Sequence, residues 1–487
     1  MRVVIVGGSH AGIACALRAR EEYPDADIVL YEKQDAIGFV AQSIPLYLQG
    51  SPSFDKIRSY TSATALEAKG ITVRTGMVVR RVDTDAKQII FVPAAGDDLD
   101  IDSYDKLVIA TGSYPSIPLA AGDYRDKLLV VKTYSDAVRI KELMSTARTV
   151  IVIGGGAIGI EMTRGLIDAG IHPVLLQAPA ALLDRYLDDD AAAAIRAGLE
   201  QEGVEIHTSS LVTQITADTA EGGRNITVVT QAGETYTADG IIYCTGFRPN
   251  TVLVGGQVEL GEMGAIVVDD YMRTSEPDVF AVGDCSTTTL KHVIVPTYVP
   301  HASDAFRQGE IAAVNLMGPR RKLNSSQGTY SLNFGDHTLA MTGLSLKRAL
   351  SEGFDAAVAY TRNNYIDSDR FYEARLVYEK GSHLILGISV RGTVYEISGV
   401  ADLYSLAIEQ DLTVDDMEYS DFFFKHGFHN PFGLPNILAD VIRNEERGQA
   451  GEPGAGRHSF GAQTVDSQDV AAARDAATSD GDKGTAL

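Results

Sequence analysis

Residues 2–32 read RVVIVGGSHAGIACALRAREEYPDADIVLYE, and the fold turns on this stretch. Arg2 to Val6 carries a continuous β-branched run, as a strand buried on both faces of a parallel sheet requires. Gly7-Gly8-Ser9-His10-Ala11-Gly12 follows, then a helical pattern from Ile13 to Glu22, with Pro24 beyond it. A second apolar run, Asp27 to Tyr31, ends at Glu32. The order predicts a strand–turn–helix–strand unit with parallel strands. Gly7 permits the tight turn, the helix N-terminus offers free N–H groups to a pyrophosphate, and Glu32 can accept both ribose hydroxyls. Ser9 replaces the middle glycine of G-x-G-x-x-G, so the glycines alone are a weak signal. Strand, helix, strand and acid in register predict nucleotide binding over a purely structural turn.

The construction recurs. Thr149 to Ile153 reads as a strand, and Gly154-Gly155-Gly156-Ala157-Ile158-Gly159 is a complete G-x-G-x-x-G. A helix then runs to about Ala169, with Gly170 as its C-cap. The next strand, Pro173 to Leu176, ends at Gln177, where an NAD site carries Asp or Glu. Two such units imply two dinucleotides, such as FAD and a nicotinamide cofactor; the bland alternative is a vestigial second site. Gln177 leaves NADH against NADPH open, because an amide neither anchors a 2′-hydroxyl as a carboxylate does nor repels a 2′-phosphate. No arginine follows immediately, Arg185 being the nearest. Tyr104 to Ile109 runs into Ala110-Thr111-Gly112, echoed by Ile241 to Gly246 and then Phe247-Arg248-Pro249-Asn250. Val279 to Val282 runs into Gly283-Asp284, and Asp284 at such a strand end could accept hydrogen bonds from a ribityl chain.

The chain has 487 residues, which predicts two to four domains. Apolar content of 45% with 22% charged residues is that of a soluble globular protein. The 42 basic and 65 acidic side chains give −23, which disfavours nucleic acid or anionic membrane as a partner. Cys15, Cys244 and Cys285 are widely separated, with no spacing that suggests a zinc site or redox pair, and a reduced, cytoplasmic setting is expected. The N-terminal apolar run is too short for a signal peptide, and no run reaches the roughly 18 apolar residues of a membrane helix. From about Asn324 to Glu446 the pattern changes to an α+β module. Its end, Asp421 to Phe432, is dense in aromatics and includes His426, as an apolar interface or core is. The remainder, 447–487, has few large apolar residues and is expected to be disordered.

Taken together, GGSHAG, YEK, ATGS, GGGAIGIE, CTGFRPNT, TSEPDVFAVGDC and YVPHASDAFRQG resemble, in order, the pyridine nucleotide-disulfide oxidoreductase family. The branch it is most similar to holds NADH oxidase, NADH peroxidase and coenzyme A-disulfide reductase. The resemblance implies an α/β fold with two Rossmann-like domains, for FAD (1–113 and 248–323) and NAD(P) (114–247), and a C-terminal α+β dimerisation domain (324–446). DFFFKHGFHNPF looks like that branch's dimerisation motif, so a homodimer is implied, its C-terminal domain reaching the partner's flavin site. Carried over by motif, Gly7, His10, Ala11, Gly12, Glu32, Lys33, Val79, Ala110, Thr111, Gly112, Asp284 and Ala302 should contact FAD. Gly154, Gly156, Ala157, Ile158, Gly159, Glu161, Gln177 and Gly246 should line the nicotinamide nucleotide site.

Three departures matter. The family motif Ser-Phe-Leu-Ser-Cys-Gly reads here Gly38-Phe39-Val40-Ala41-Gln42-Ser43. Glutamine has neither thiolate nor redox couple, so the branch's sulfur chemistry does not carry over. Ala157 stands where the branch often has an aromatic that screens the flavin. His301 takes a usually aliphatic place and reads either as proton donor or substrate contact, or as a satisfied interface histidine. His10 would face Gln42, and a hydrogen bond between them is expected. The function expected is FAD-dependent NAD(P)H oxidoreduction, with hydride passing to flavin and electrons then to oxygen, forming peroxide, or to a small acceptor. His10, Gln42, Ser43 and His301 are the candidate catalytic residues. The alternatives are a flavin oxidoreductase acting on an organic metabolite beside Gln42, with weak or no NAD(P)H use, and a non-enzymatic flavin-bearing redox sensor.

Overall fold

A computed structural model describes residues 1–48, 59–117, 128–217, 226–364, 370–393, 397–423 and 432–447. The chain divides into two compact units. One joins Met1–Leu182 to Gly198–Ser326; the other joins Leu183–Ala197 to the residues from Gln327 onward.

The first unit is built on two parallel five-stranded sheets. In the first, the order is Val279–Ala281, Lys106–Ile109, Arg2–Val6, Asp27–Tyr31, Thr72–Arg74. Val3, Val4 and Ile5 are fully buried, which is why this strand shows no polar alternation. Val6 lies opposite both Tyr31 and Ile109, so Gly7, Glu32 and Ala110 leave the sheet side by side at its C-terminal edge.

The second sheet repeats the plan in the order Glu205–His207, His172–Leu176, Thr149–Ile153, Gly240–Tyr243, Leu128–Val130. Ile153 lies opposite Leu176 and Tyr243, which brings Gly154, Gln177 and Cys244 together in the same way. Each half also carries a three-stranded antiparallel sheet, made of strands from 77–103 in one and 212–238 in the other. The two passages of the chain between the halves pair as a short antiparallel ribbon, Phe247 opposite Pro115 and Pro249 opposite Ser113.

The first helix spans His10–Glu22, three residues earlier than the apolar pattern indicates. Gly12 is thus inside the helix, and its reason is packing: a Cβ there would sit 1.9 Å from the Gly7 carbonyl oxygen. Gly309 in the helix Ala302–Asn315 plays the matching part, since its Cβ would stand 2.2 Å from the Ala11 carbonyl oxygen.

The second unit holds an antiparallel sheet in the order Tyr330–Phe334, His337–Gly343, Ile385–Gly392, Phe371–Glu379, Ala356–Asn364. The helices Ile397–Glu409, Val414–Glu418 and Leu434–Glu446 pack their apolar faces into its core around the fully buried Tyr404. Of the aromatic cluster, Phe422 packs against this core and Phe423 is exposed. Residues 424–431, with His426, and 448–487 lie outside the described residues.

Candidate functional site

The two glycine turns are built alike. Gly7 has φ +121°, and a Cβ would sit 2.0 Å from the Ala110 carbonyl oxygen; Gly154 has φ +111°, with the Cys244 carbonyl oxygen at 2.5 Å. Gly159 repeats Gly12, its Cβ position lying 1.9 Å from the Gly154 carbonyl oxygen. These glycines hold helix against strand at a distance no other residue allows. Gly112, Gly156 and Gly246 differ: a Cβ on any of them would meet nothing within 4 Å. They leave backbone open, as close approach of a ligand would require.

The residue ending the second strand reaches back into its turn in both halves. Glu32 accepts from the Gly8 N–H at 2.6 Å and from the Gln34 N–H at 2.8 Å. Gln177 accepts from the Gly155 N–H at 2.7 Å through its carbonyl oxygen, and its amide nitrogen donates to the Ala181 carbonyl at 3.1 Å. Ser9 and Gly156 cap the two helices without a side-chain hydrogen bond, and neither helix has an acid in its first turn. Both N-termini therefore keep N–H groups available to phosphate oxygens.

A cavity of about 630 Å³ opens from the first turn. Gly7, His10, Ala11, Glu32, Lys33, Gln42, Val79, Ala110, Thr111, Gly112, Asp284 and Ala302 all line it. Ile158 and Glu161 line it from the second half, so the two halves meet at one chamber. Gly12, Gly154, Gly156, Ala157, Gly159, Gln177 and Gly246 are off its wall, around the second turn or behind the first. The size, the uncapped helix end and the open Gly112 fit a dinucleotide in the first half.

Lys132 and Ser113 were not expected in this wall. The Ser113 hydroxyl donates to Asp284 Oδ2 at 2.8 Å, and Lys132 Nζ donates to the same oxygen at 3.1 Å and to Ser113 Oγ at 2.8 Å. The ammonium also stands 4.5 Å from the Phe247 ring centre. Burial pushes the Asp284 carboxyl up, but Lys132, Ser113 and His301 outweigh it and hold the group below the usual carboxylate range. A signal for Lys132 existed in the chain: it ends the apolar run Leu128 to Val131 as Glu32 ends its own.

The candidate catalytic residues separate in space. Gln42 and His10 line the cavity. His10 does not bond Gln42; its Nδ1 faces the Tyr60 hydroxyl at 3.4 Å, and its ring joins Tyr60 and Phe306 in a three-ring cluster, centres 5.6 and 4.9 Å away. Burial, helped by Lys132, outweighs the pull of Asp284 and keeps the imidazole neutral by lowering its pKa. Ser43 is buried off the cavity, its hydroxyl donating to the Val40 carbonyl at 2.5 Å. His301 is buried at the N-cap of the helix Ala302–Asn315, also off the cavity wall, with its pKa lowered by burial against Asp304 and Asp284. Glu161 faces the chamber with its carboxyl pushed up to about 7 by burial.

No thiol can replace the missing sulfur. All three cysteines are unpaired, none lines the cavity, and burial pushes Cys15 and Cys244 up to about 12 and raises Cys285 as well. Among the described residues there is no group of side chains that could hold a metal ion, and no helix is long and apolar enough to cross a membrane.

Residues 1–309 match the family model described as pyridine nucleotide-disulphide oxidoreductase. An NADH oxidase of Enterococcus faecalis is 33% identical over 445 residues, covering 91% of this chain and 99% of the relative. A CoA-dependent NAD(P)H sulfur oxidoreductase of Pyrococcus abyssi is 29% identical over 451 residues, covering 91% and 98%. The structure of a water-forming NADH oxidase from Lactobacillus brevis, bound to NADH, superimposes with a TM-score of 0.88 at 31% identity, over 93% of this chain and all of the other.

Proposed function

Because the chain belongs to the pyridine nucleotide-disulphide oxidoreductase family, we propose that it is an FAD-dependent NAD(P)H oxidase that works without a cysteine and releases hydrogen peroxide. The balance is NAD(P)H, a proton and O₂ giving NAD(P)⁺ and H₂O₂. The single observation that carries this reading is Gln42 in the cavity wall, with every thiol of the chain elsewhere and protonated.

Residues 1–113 and 248–323 form the FAD domain and 114–247 the NAD(P) domain. Glu32 takes the ribose, the amides around Ser9 and His10 take the pyrophosphate, and Asp284, kept ionised by Lys132, takes ribityl hydroxyls. Bound FAD supplies a two-electron acceptor for the nicotinamide and a donor for oxygen. The chain's part is to bring the two ligands into one chamber, which Ile158 and Glu161 reach from the second half. His10, with its imidazole kept neutral, and Gln42 orient the reduced acceptor by hydrogen bonding. Ser43 and His301 support the wall from behind.

Residues 324–446 form the interface of a homodimer and reach the partner's flavin site, a reading supported by the exposed Tyr419 and Phe423 beside the aromatic segment. The three free cysteines fit a reducing, cytoplasmic setting.

Anaerobic titration with NADH and NADPH should bleach the flavin of the purified protein. Admitting oxygen should then return about one peroxide per nicotinamide oxidised. A flavin that neither coenzyme reduces sinks the proposal; water as the product sinks its peroxide part. Light scattering of the same sample should give twice the mass of one chain.

A further inference from the structure

We infer that Gln177 makes the coenzyme site indifferent to the 2′-phosphate, so that this protein takes NADPH and NADH with nearly equal affinity. The inference rests on the coenzyme site proposed above and adds which coenzyme that site selects.

The comparison is internal to the chain. Glu32 and Gln177 occupy the same place in two copies of one construction, each accepting from the second glycine's N–H. Glu32 brings a full negative charge to that place. Gln177 brings none, and its polar atoms are committed to the protein: the carbonyl oxygen to Gly155 and the amide nitrogen to Ala181. The side chain is also buried, at 6% exposure, between the turn and the strand end.

Selection at this place works by charge. A carboxylate accepts from the ribose hydroxyls and repels a 2′-phosphate, whereas an arginine attracts the phosphate. Neither is here. Ala178, Pro179 and Ala180 follow Gln177, exposed and uncharged. With no acid to exclude the phosphate and no cation to reward it among residues 177–180, the two coenzymes share the remaining contacts, made by the turn Gly154–Gly159 and the helix end behind it.

Ligands without a nicotinamide ring separate this inference from hydride transfer. ADP-ribose and 2′-phospho-ADP-ribose would be titrated into the FAD-loaded protein by calorimetry. The expected dissociation constants lie within tenfold of one another. Gln177→Glu, which exchanges one atom and keeps the acceptor for the Gly155 N–H, should shift the ratio at least thirtyfold toward ADP-ribose. Gln177→Ala should weaken both ligands and leave the ratio within tenfold. A wild-type ratio above tenfold in either direction, no binding of either ligand, or an unchanged ratio in Gln177→Glu overturns the inference. If both ligands bind alike but NADH and NADPH fail to reduce the flavin, the inference stands and the oxidase reading falls.

Discussion

A half-buried carboxylate stands in the wall of the cavity. Asp284 is held ionised by Lys132 and Ser113, with 20% of its side chain open to the cavity. Lys132→Met removes the cation and leaves a carboxylate that must lose its charge or its burial, at a cost of about 1–3 kcal/mol. FAD affinity, measured by flavin fluorescence on dilution, should fall about tenfold or more. The pH dependence has a definite sign. A carboxyl held low in the fold contributes stability above its ordinary pKa and loses it as pH falls through the lowered value. In Lys132→Met that loss should begin at higher pH than in the parent, and thermal melts from neutral to acid pH would show it. Gly12→Ala acts through space alone: its Cβ would stand 1.9 Å from the Gly7 carbonyl oxygen, so helix and strand must part. A melting-point loss equivalent to roughly 1–3 kcal/mol is expected, with FAD lost in parallel. Gly112→Ala meets no atom within 4 Å, but its Cβ enters the cavity at φ +67°, so it should weaken FAD more than it lowers the melting point.

Among the elements, what could be read in the chain was what strand ends enforce. The strands Arg2–Val6, Asp27–Tyr31 and Thr149–Ile153 have the bounds their apolar runs give, because a strand buried on both faces shows itself as an unbroken run. Glu32, Gln177 and Asp284 stood out because each ends such a run. Lys132 escaped because its strand, Leu128–Val130, is three residues long and its partner Asp284 is 152 positions away. The Tyr60 partner of His10, 50 positions away, escaped for the same reason: a side-chain meeting across the fold leaves no local period. His383 is a third such case. It sits at φ +58° in the turn between Phe371–Glu379 and Ile385–Gly392, with Nδ1 2.9 Å from Asp415 and Nε2 2.8 Å from Glu446. Both ring nitrogens face carboxylate oxygens, so the ring is held as imidazolium and ties the helices Val414–Glu418 and Leu434–Glu446 to the sheet. Burial lowers this pKa, but the two carboxylates outweigh it and raise the value overall. A raised histidine stabilises fully below its ordinary pKa of about 6.5 and ceases to as pH climbs through the folded value. His383→Gln should therefore melt earlier than the parent at mildly acidic pH, by about 1 kcal/mol given two half-exposed carboxylates. The two should converge at alkaline pH.

At the scale of the whole molecule, the question is what the second half contributes to a chamber opened by the first. Its helix Ala157–Asp168 sends Ile158 and Glu161 into the cavity, and Glu161 brings a titratable carboxyl there. Burial pushes that carboxyl up to about 7, so it changes charge near neutral pH. Below pH 7 it is neutral and can donate a hydrogen bond. Above pH 7 it becomes a carboxylate facing the chamber in which we propose two anionic dinucleotides meet, on a chain that already carries −23. A carboxyl raised by folding stabilises the fold below its ordinary pKa and stops doing so as pH rises through 7, so alkali should loosen both the fold and its ligands. NADH binding should weaken several-fold between about pH 6 and pH 8. Glu161→Gln keeps the size and the donor and removes the titration, so its dissociation constant should stay flat and match the parent's acidic value. Titrating the FAD-loaded protein with NADH under anaerobic conditions at each pH reads this directly. A Glu161→Gln profile with the same slope as the parent would place the titration elsewhere, and a flat parent profile would show that loading the chamber pairs the carboxyl with a donor.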